Sequence, residues 1–530
     1  MRSIICTSFA FIFTIYNLAA QSILSGGVLK PEQANMDVRH YSVALTVDPR
    51  EQSIDGNTTI NVVLKQPTSV LLFDLLNSFK VSKVWVNNKE AAFTHEKDLI
   101  NVTLPAALSG AAIVKVQYAG KPRVAVRPPW DGGFQWAKDS TGNDWIAISC
   151  QMEGAKIYFP CKDHPSDEPN EGADLIITVP KGLVVAGPGL LQKVSHKKSQ
   201  STYHWKTNYT INNYSIVFNI GKYKVVTRPY TTVNGNKVPI EFYVLEEHVE
   251  KAAHHLEVFE RSIRMQEKYF GEYPWVKEKI AIAETPHLGM EHQSMNAYGN
   301  KFKYAKVGGE DFDWLVHHEF GHEWWGNKVT GKDWGDMWVQ EGICSFGDVL
   351  FLRETEGEAS YIKRMQEFGR HTQNQKPVVL GTNINSDDAY HGDIYGKGAF
   401  FMHTLRYVTG DEFFFPAIKK FVTDARYTYD NLVTTDDVEQ FFSRESGTNL
   451  KPLFDLYLRT TKKLEVQVTR IDDINYNIKL LNYDGVLPLD ITTSRGTKRQ
   501  MIGNKGDTLV SQSLPVVDEK GFYLKRVIYE

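Results

Sequence analysis

Residues 317–327 read HHEFGHEWWGN, with His318 and His322 four apart and Glu319 directly after the first. Side chains four apart on a helix stand one above the other on a single face, so the two imidazoles converge only if this segment is helical. Two imidazoles under-coordinate zinc, whose hydrolytic sites take three protein ligands and leave a fourth position open. Glu341, with eighteen residues between it and His322, sits in WVQEGICSF on the next predicted helix and brings a carboxylate back to the same point. The chain is therefore constrained to fold two successive helices against each other. His317 meets only Gly321 at the same spacing and reads as a helix-flank histidine. Glu323 has no histidine at ligand spacing and reads as solvated or as a support behind the ligands.

Those residue types in that order point to hydrolysis. Zinc lowers the pKa of bound water from about 15.7 towards about 7 and polarises a carbonyl oxygen, which makes amide cleavage the natural reaction. Glu319 stands beside the metal as general base and later as general acid, while His318, His322 and Glu341 are the ligands. Asp336 is placed either to hydrogen-bond a ligating imidazole or to cap a helix.

The periodicity of the remaining chain frames this centre. From 36 to 228 short segments alternate with period two, among them HYSVALTVD and AAIVKVQYAG, which predicts a mostly antiparallel β domain. From 247 the period becomes helical, with helices expected to end at Gly271 and over 310–326, 336–355, 358–369, 395–408, 411–424 and 434–459. Alternation returns over 461–530 as a small β module. The 530 residues suffice for two to four domains. With 60 Lys and Arg against 63 Asp and Glu the net charge is −3, which gives no nucleic-acid footprint. Residues 1–20 have the layout of a secretory signal peptide: Arg2, an apolar run, then Ala19 and Ala20. An exported protein, periplasmic or secreted and without stable membrane insertion, is the expectation. Cys150 and Cys161 are spaced either to bridge or to remain two buried thiols.

The signature H-E-x-x-H, eighteen residues, then E, with W and G-N after the second histidine, resembles the zinc aminopeptidases of the aminopeptidase N and leukotriene hydrolase type, the gluzincins of peptidase family M1. FGEYPW from Phe270, GMEH from Gly289, QMEGAKIYFPCKDHPSDEP from Gln151, YGKGA from Tyr395 and DVRHYSVALTVD from Asp37 look like family blocks in the family's order. The resemblance implies a multidomain α+β fold: an N-terminal antiparallel β domain (36–228), a thermolysin-like, mainly helical zinc domain (229–460) and a C-terminal β-sandwich-like module (461–530). It implies one zinc ion and peptide substrates with a free N-terminus. By position, Tyr395 is similar to the tyrosine that donates to the oxyanion. Glu291 matches the glutamate that takes the substrate's α-amine, with Gln151 and Glu153 as its partners. Gly289 and Met290 match the strand that pairs with substrate backbone. His292 stands where the family usually has asparagine and Gly396 where glutamate is common. No large helical C-terminal domain follows the β module, so a more open cleft is expected. The alternatives on the same residues are a zinc endopeptidase, an epoxide hydrolase and a non-catalytic peptide-binding protein.

Overall fold

A computed structural model describes residues 23–530; the signal-peptide reading of 1–20 lies outside them. The first part is β structure built on strict alternation. Strand Met36–Asp48 buries Tyr41, Val43, Leu45 and Val47. It pairs antiparallel with the 22-residue strand Ser53–Asp74, which in turn pairs with Leu99–Gly120. These strands lie in a nine-stranded sheet, antiparallel except where Met36–Asp48 meets Ala173–Pro180. A smaller four-stranded sheet holds Gly133–Lys138 and Asp144–Ser149 and ends at the loop that carries Gln151.

The next sheet has five strands, in the spatial order Tyr223–Thr231, Lys237–Leu245, Ile280–Glu284, Asn296–Tyr298, Gly289–Met290. Tyr223–Thr231 forms a hairpin with Lys237–Leu245, so this sheet begins before residue 229, where the alternation in sequence had placed a boundary. Among the described residues, Gly289–Met290 pairs only with Asn296–Tyr298 and so forms one edge.

Helices then dominate. Val249–Phe270, Trp338–Glu356, Glu358–His371, Gly396–Thr409 and Asp411–Thr423 lie close to their expected limits. Two expectations are corrected. The helix expected over 310–326 is only Trp314–Gly321, because Glu310–Phe312 pairs as a strand with Ala305–Val307 and Asp313 caps the helix, accepting from the amides of Leu315 and Val316. The helix expected over 434–459 is two, Thr435–Ser446 and Lys451–Tyr457. Gly447 ends the first in the left-handed region (φ 67°), and Pro452 opens the second. Gly342 and Gly398 let Trp338–Glu356 and Gly396–Thr409 touch, since a Cβ on Gly342 would lie 2.8 Å from the Gly398 Cα. That contact brings the Tyr395 end of the second helix to Glu341.

The C-terminal module has a four-stranded and a three-stranded sheet. It packs on the helices through Phe522, stacked 3.9 Å from Tyr407, and through the Tyr457 hydroxyl, which donates to the Leu524 carbonyl. At the other end, Ser25 and Gly27 cross between domains. The Ser25 amide donates to the Met152 carbonyl (3.0 Å), its hydroxyl to Asp163, and the Gly27 amide to Ile384. Ser386 answers with its amide on the Ser25 carbonyl and its hydroxyl on the Met152 carbonyl. Cys150, Cys161 and Cys344 are free, buried thiols.

Candidate active site

His318, His322 and Glu341 converge. Their nearest ligand atoms lie 3.3 Å apart (His318 Nε2 to His322 Nε2), 3.3 Å (His322 Nε2 to Glu341 Oε2) and 3.5 Å (His318 Nε2 to Glu341 Oε2). The opposite nitrogens are engaged: His318 Nδ1 lies 2.9 Å from Asp348 Oδ2 and His322 Nδ1 2.8 Å from the Trp325 carbonyl oxygen. A carbonyl or a carboxylate only accepts, so both imidazoles carry their proton on Nδ1 and turn a lone pair on Nε2 toward Glu341. Three lone-pair atoms facing one another call for a cation. Tetrahedral zinc with ligand distances of about 2.0–2.2 Å spaces its ligands about 3.3–3.6 Å apart, so the donor set and its spacing fit zinc. Among the described residues, these three form the one group able to hold a metal ion.

Around the cluster lies a cleft of about 340 Å³, lined by Gln151, Met152 and Trp130 from the first domain and by Gly289, Met290, Glu291, Glu319, Tyr390 and Tyr395 from the second. Gly289 makes this geometry possible, since a Cβ there would sit 2.5 Å from Glu319 Oε1. Burial pushes the Glu319 carboxyl above the ordinary carboxylate range. The Tyr395 hydroxyl is 3.0 Å from that of Tyr390, and burial keeps it a protonated phenol able to donate. The Glu291 carboxylate accepts from Gln151 Nε2 (2.5 Å) and from the Tyr214 hydroxyl (2.9 Å).

Of the residues given a catalytic, metal-binding or substrate-binding role in the sequence, all but Glu153 line this cleft. Glu153 instead accepts the Gly132 amide at 2.7 Å and secures the loop that presents Trp130; burial pushes its carboxyl up to about 7. Asp336 serves the cap, accepting the amide and hydroxyl of Thr435. Glu323, read as solvated or supporting, is 1% exposed and accepts from four donors. Buried His317 lies against Gln266 and Phe351, away from the metal ligands. Sequence reasoning missed Asp348 and Tyr214. Asp348 was within reach: it stands seven residues after Glu341, two turns along the same helical face. Tyr214 carries no such signal, because the chain brings it in from the first domain.

Comparison with known proteins agrees with this geometry. The Peptidase family M1 domain model matches residues 254–457 and the Peptidase M1 N-terminal domain model residues 38–214, together most of the chain. The chain is 24% identical to a leucyl aminopeptidase of Saccharolobus solfataricus, over 93% of this chain and 63% of that protein. It is 20% identical to an aminopeptidase N of Lactobacillus delbrueckii subsp. lactis (79% and 50%) and 24% identical to a leukotriene A-4 hydrolase of Xenopus laevis (78% and 68%). It thus spans about half to two thirds of the length of these relatives. Its fold is shared with an M1 zinc metallopeptidase from Deinococcus radiodurans, at a TM-score of 0.67 and 21% identity over 82% of this chain and 95% of that one. With both domain models matched in order around the His318, His322 and Glu341 cluster, the chain belongs to peptidase family M1.

Proposed function

We propose that this chain is a zinc-dependent aminopeptidase, removing the first residue from peptides with a free N-terminus. The observation that carries the reading is the Glu291 carboxylate. Held by Gln151 and Tyr214, it faces the same cleft as Glu319 and the three ligands. An ammonium group there gains a charge-assisted hydrogen bond and sets the scissile bond one residue away.

When bound by His318, His322 and Glu341, zinc supplies Lewis acidity toward water and the scissile carbonyl. Glu319 takes the proton of the attacking water on its carboxylate and returns it to the leaving amine. Tyr395 donates its hydroxyl proton to the developing oxyanion while Tyr390 donates to Tyr395; one such donor contributes about 10²–10³ in rate. Gly289 and Met290 offer an unpaired strand edge to extended substrate backbone. Residues 1–20, read as a signal peptide, support action in a periplasm or outside the cell.

A panel of aminoacyl fluorogenic amides and their N-acetylated twins, run on the signal-free protein with and without a zinc chelator, tests this. Chelator-sensitive release from the free amines alone is expected. Equal cleavage of both sets would mean an endopeptidase, and zinc-loaded but inert protein a binding function.

A further inference from the structure

Glu323 follows directly on a metal ligand, yet it faces away from the cluster into a buried network of its own. Its Oε2 accepts from Trp275 Nε1 (2.6 Å) and Asn327 Nδ2 (3.3 Å), and its Oε1 from the Ser294 amide (2.9 Å) and Asn296 Nδ2 (3.2 Å). All four partners donate. A glutamate accepts on both oxygens, whereas an amide of the same shape puts an N–H₂ at one of them and leaves at least one buried donor facing another.

The network ends at the amine anchor by two routes. On one side, Ser294 and Asn296 belong to the segment that begins with Glu291, and Asn296 also donates to the His292 carbonyl (3.1 Å). Ser294 holds a left-handed backbone (φ 57°), a conformation that persists only where surrounding contacts enforce it. Two contacts do so: Glu323 takes its amide, and its hydroxyl accepts the Gly189 amide. On the other side, Asn327 donates a second proton to the Glu291 carbonyl (2.8 Å) and accepts from Asn212. Asn212 in turn accepts the Ser215 amide and caps the turn Asn213–Ser215, whose Tyr214 donates to the Glu291 carboxylate. Glu323 thus stands between the metal-ligand helix and both routes to Glu291, one through the backbone of segment 291–296 and one through Tyr214.

We propose that Glu323 is the positioning residue of the amine anchor. Its carboxylate, with two donors on each oxygen, fixes segment 291–296 against the His322 end of the metal-ligand helix, and this spacing sets cleavage one residue from the N-terminus. The inference rests on the aminopeptidase reading and assigns the selectivity of that same site to a residue that touches neither metal nor substrate.

The test compares wild type, Glu323→Gln, Glu291→Gln and the double variant on free-amine and N-acetylated amides, with zinc content and Tm recorded for each. Glu323→Gln is expected to keep its zinc, to raise KM for free amines about ten- to a hundredfold with a smaller change in kcat, and to lose discrimination against the acetylated twin by a similar factor. In the Glu291→Gln background the same change should add less than about twofold, since a residue acting through Glu291 has nothing left to position. Should Glu323→Gln fail to fold, Asn296→Ala, which keeps the carboxylate and removes one donor, is expected to shift the same ratio in the same direction. A folded, zinc-loaded Glu323→Gln or Asn296→Ala protein with undiminished free-amine preference overturns the inference alone, as do fully multiplicative effects in the double variant. A wild type without that preference overturns the aminopeptidase reading and this inference with it.

Discussion

Each ligating imidazole is steered through its far nitrogen, and the two are steered by different chemistry. His322 leans on a backbone carbonyl, which no substitution removes, whereas His318 leans on the Asp348 carboxylate at 2.9 Å. Partners of this kind fix the tautomer and the ring angle and make the imidazole a better donor to metal. Asp348→Ala should therefore weaken zinc binding about 10–100-fold while leaving Glu291 and its supports in place. Competition against a chelator of known affinity measures the first, and the ratio of free to acetylated substrate, taken at saturating zinc, the second. The same contrast explains what was legible in the residues. His318, Glu319, His322 and Glu341 announce themselves because a metal imposes its spacing on one stretch of chain. Apart from Asn327, one turn beyond Glu323, the hydrogen-bond partners of Tyr214 and Glu323 lie between 27 and 77 residues away in sequence, and such partners leave no local pattern.

The strand Gly289–Met290 and the helix Trp314–Gly321 lie so close that their side chains share the same space. A methyl group on Gly289 would stand 2.5 Å from Glu319 Oε1 and 2.7 Å from Leu315 Cδ1. The displaced atom is the far end of a side chain, so Gly289→Ala should fold with a Tm close to wild type and retain its zinc. Glu319 would have to move by an appreciable fraction of an ångström, and a misplacement of about 1 Å costs about 10² in rate. A fall in kcat of that order at unchanged zinc content is the expected result; wild-type kcat would show that Glu319 is free to swing. Element by element, periodicity located the long helices well because each buries one continuous face. It failed where backbone conformation decides. Gly447 breaks one apparent helix into two, and residues 310–312 pair as a strand despite their place at the head of a helical pattern.

Across the molecule, the proposed amine anchor is a joint product of two domains: Gln151 and Tyr214 come from the first, Glu291 from the second. Their relative placement depends on what clamps the domains together, and one clamp is the crossing at Ser25, Met152 and Ser386. Ser386→Ala removes the hydroxyl that donates to the Met152 carbonyl at 2.5 Å, one residue from Gln151. A lost buried hydrogen bond costs about 1–3 kcal/mol, so Tm should fall, and KM for free-amine substrates should rise severalfold with zinc content unchanged. Calorimetry and steady-state kinetics read both; an unchanged KM would mean that the anchor is held without this clamp. The three-part β, helical, β order was legible from the switch in period. The clamp was not, because it is built from residues more than 100 positions apart.

The free edge at Gly289–Met290 also bears on which chains reach the cleft at all. On the aminopeptidase reading, a substrate that adds to that edge must arrive as extended backbone with its own amides unspent. An N-terminus wound into a helix or locked in a hairpin has already committed those amides and must melt before it enters. Native proteins with ordered first residues are thereby sheltered, while frayed ends and proteolytic fragments are open to trimming. Selection at this site begins with the foldedness of the substrate, before any side chain is read.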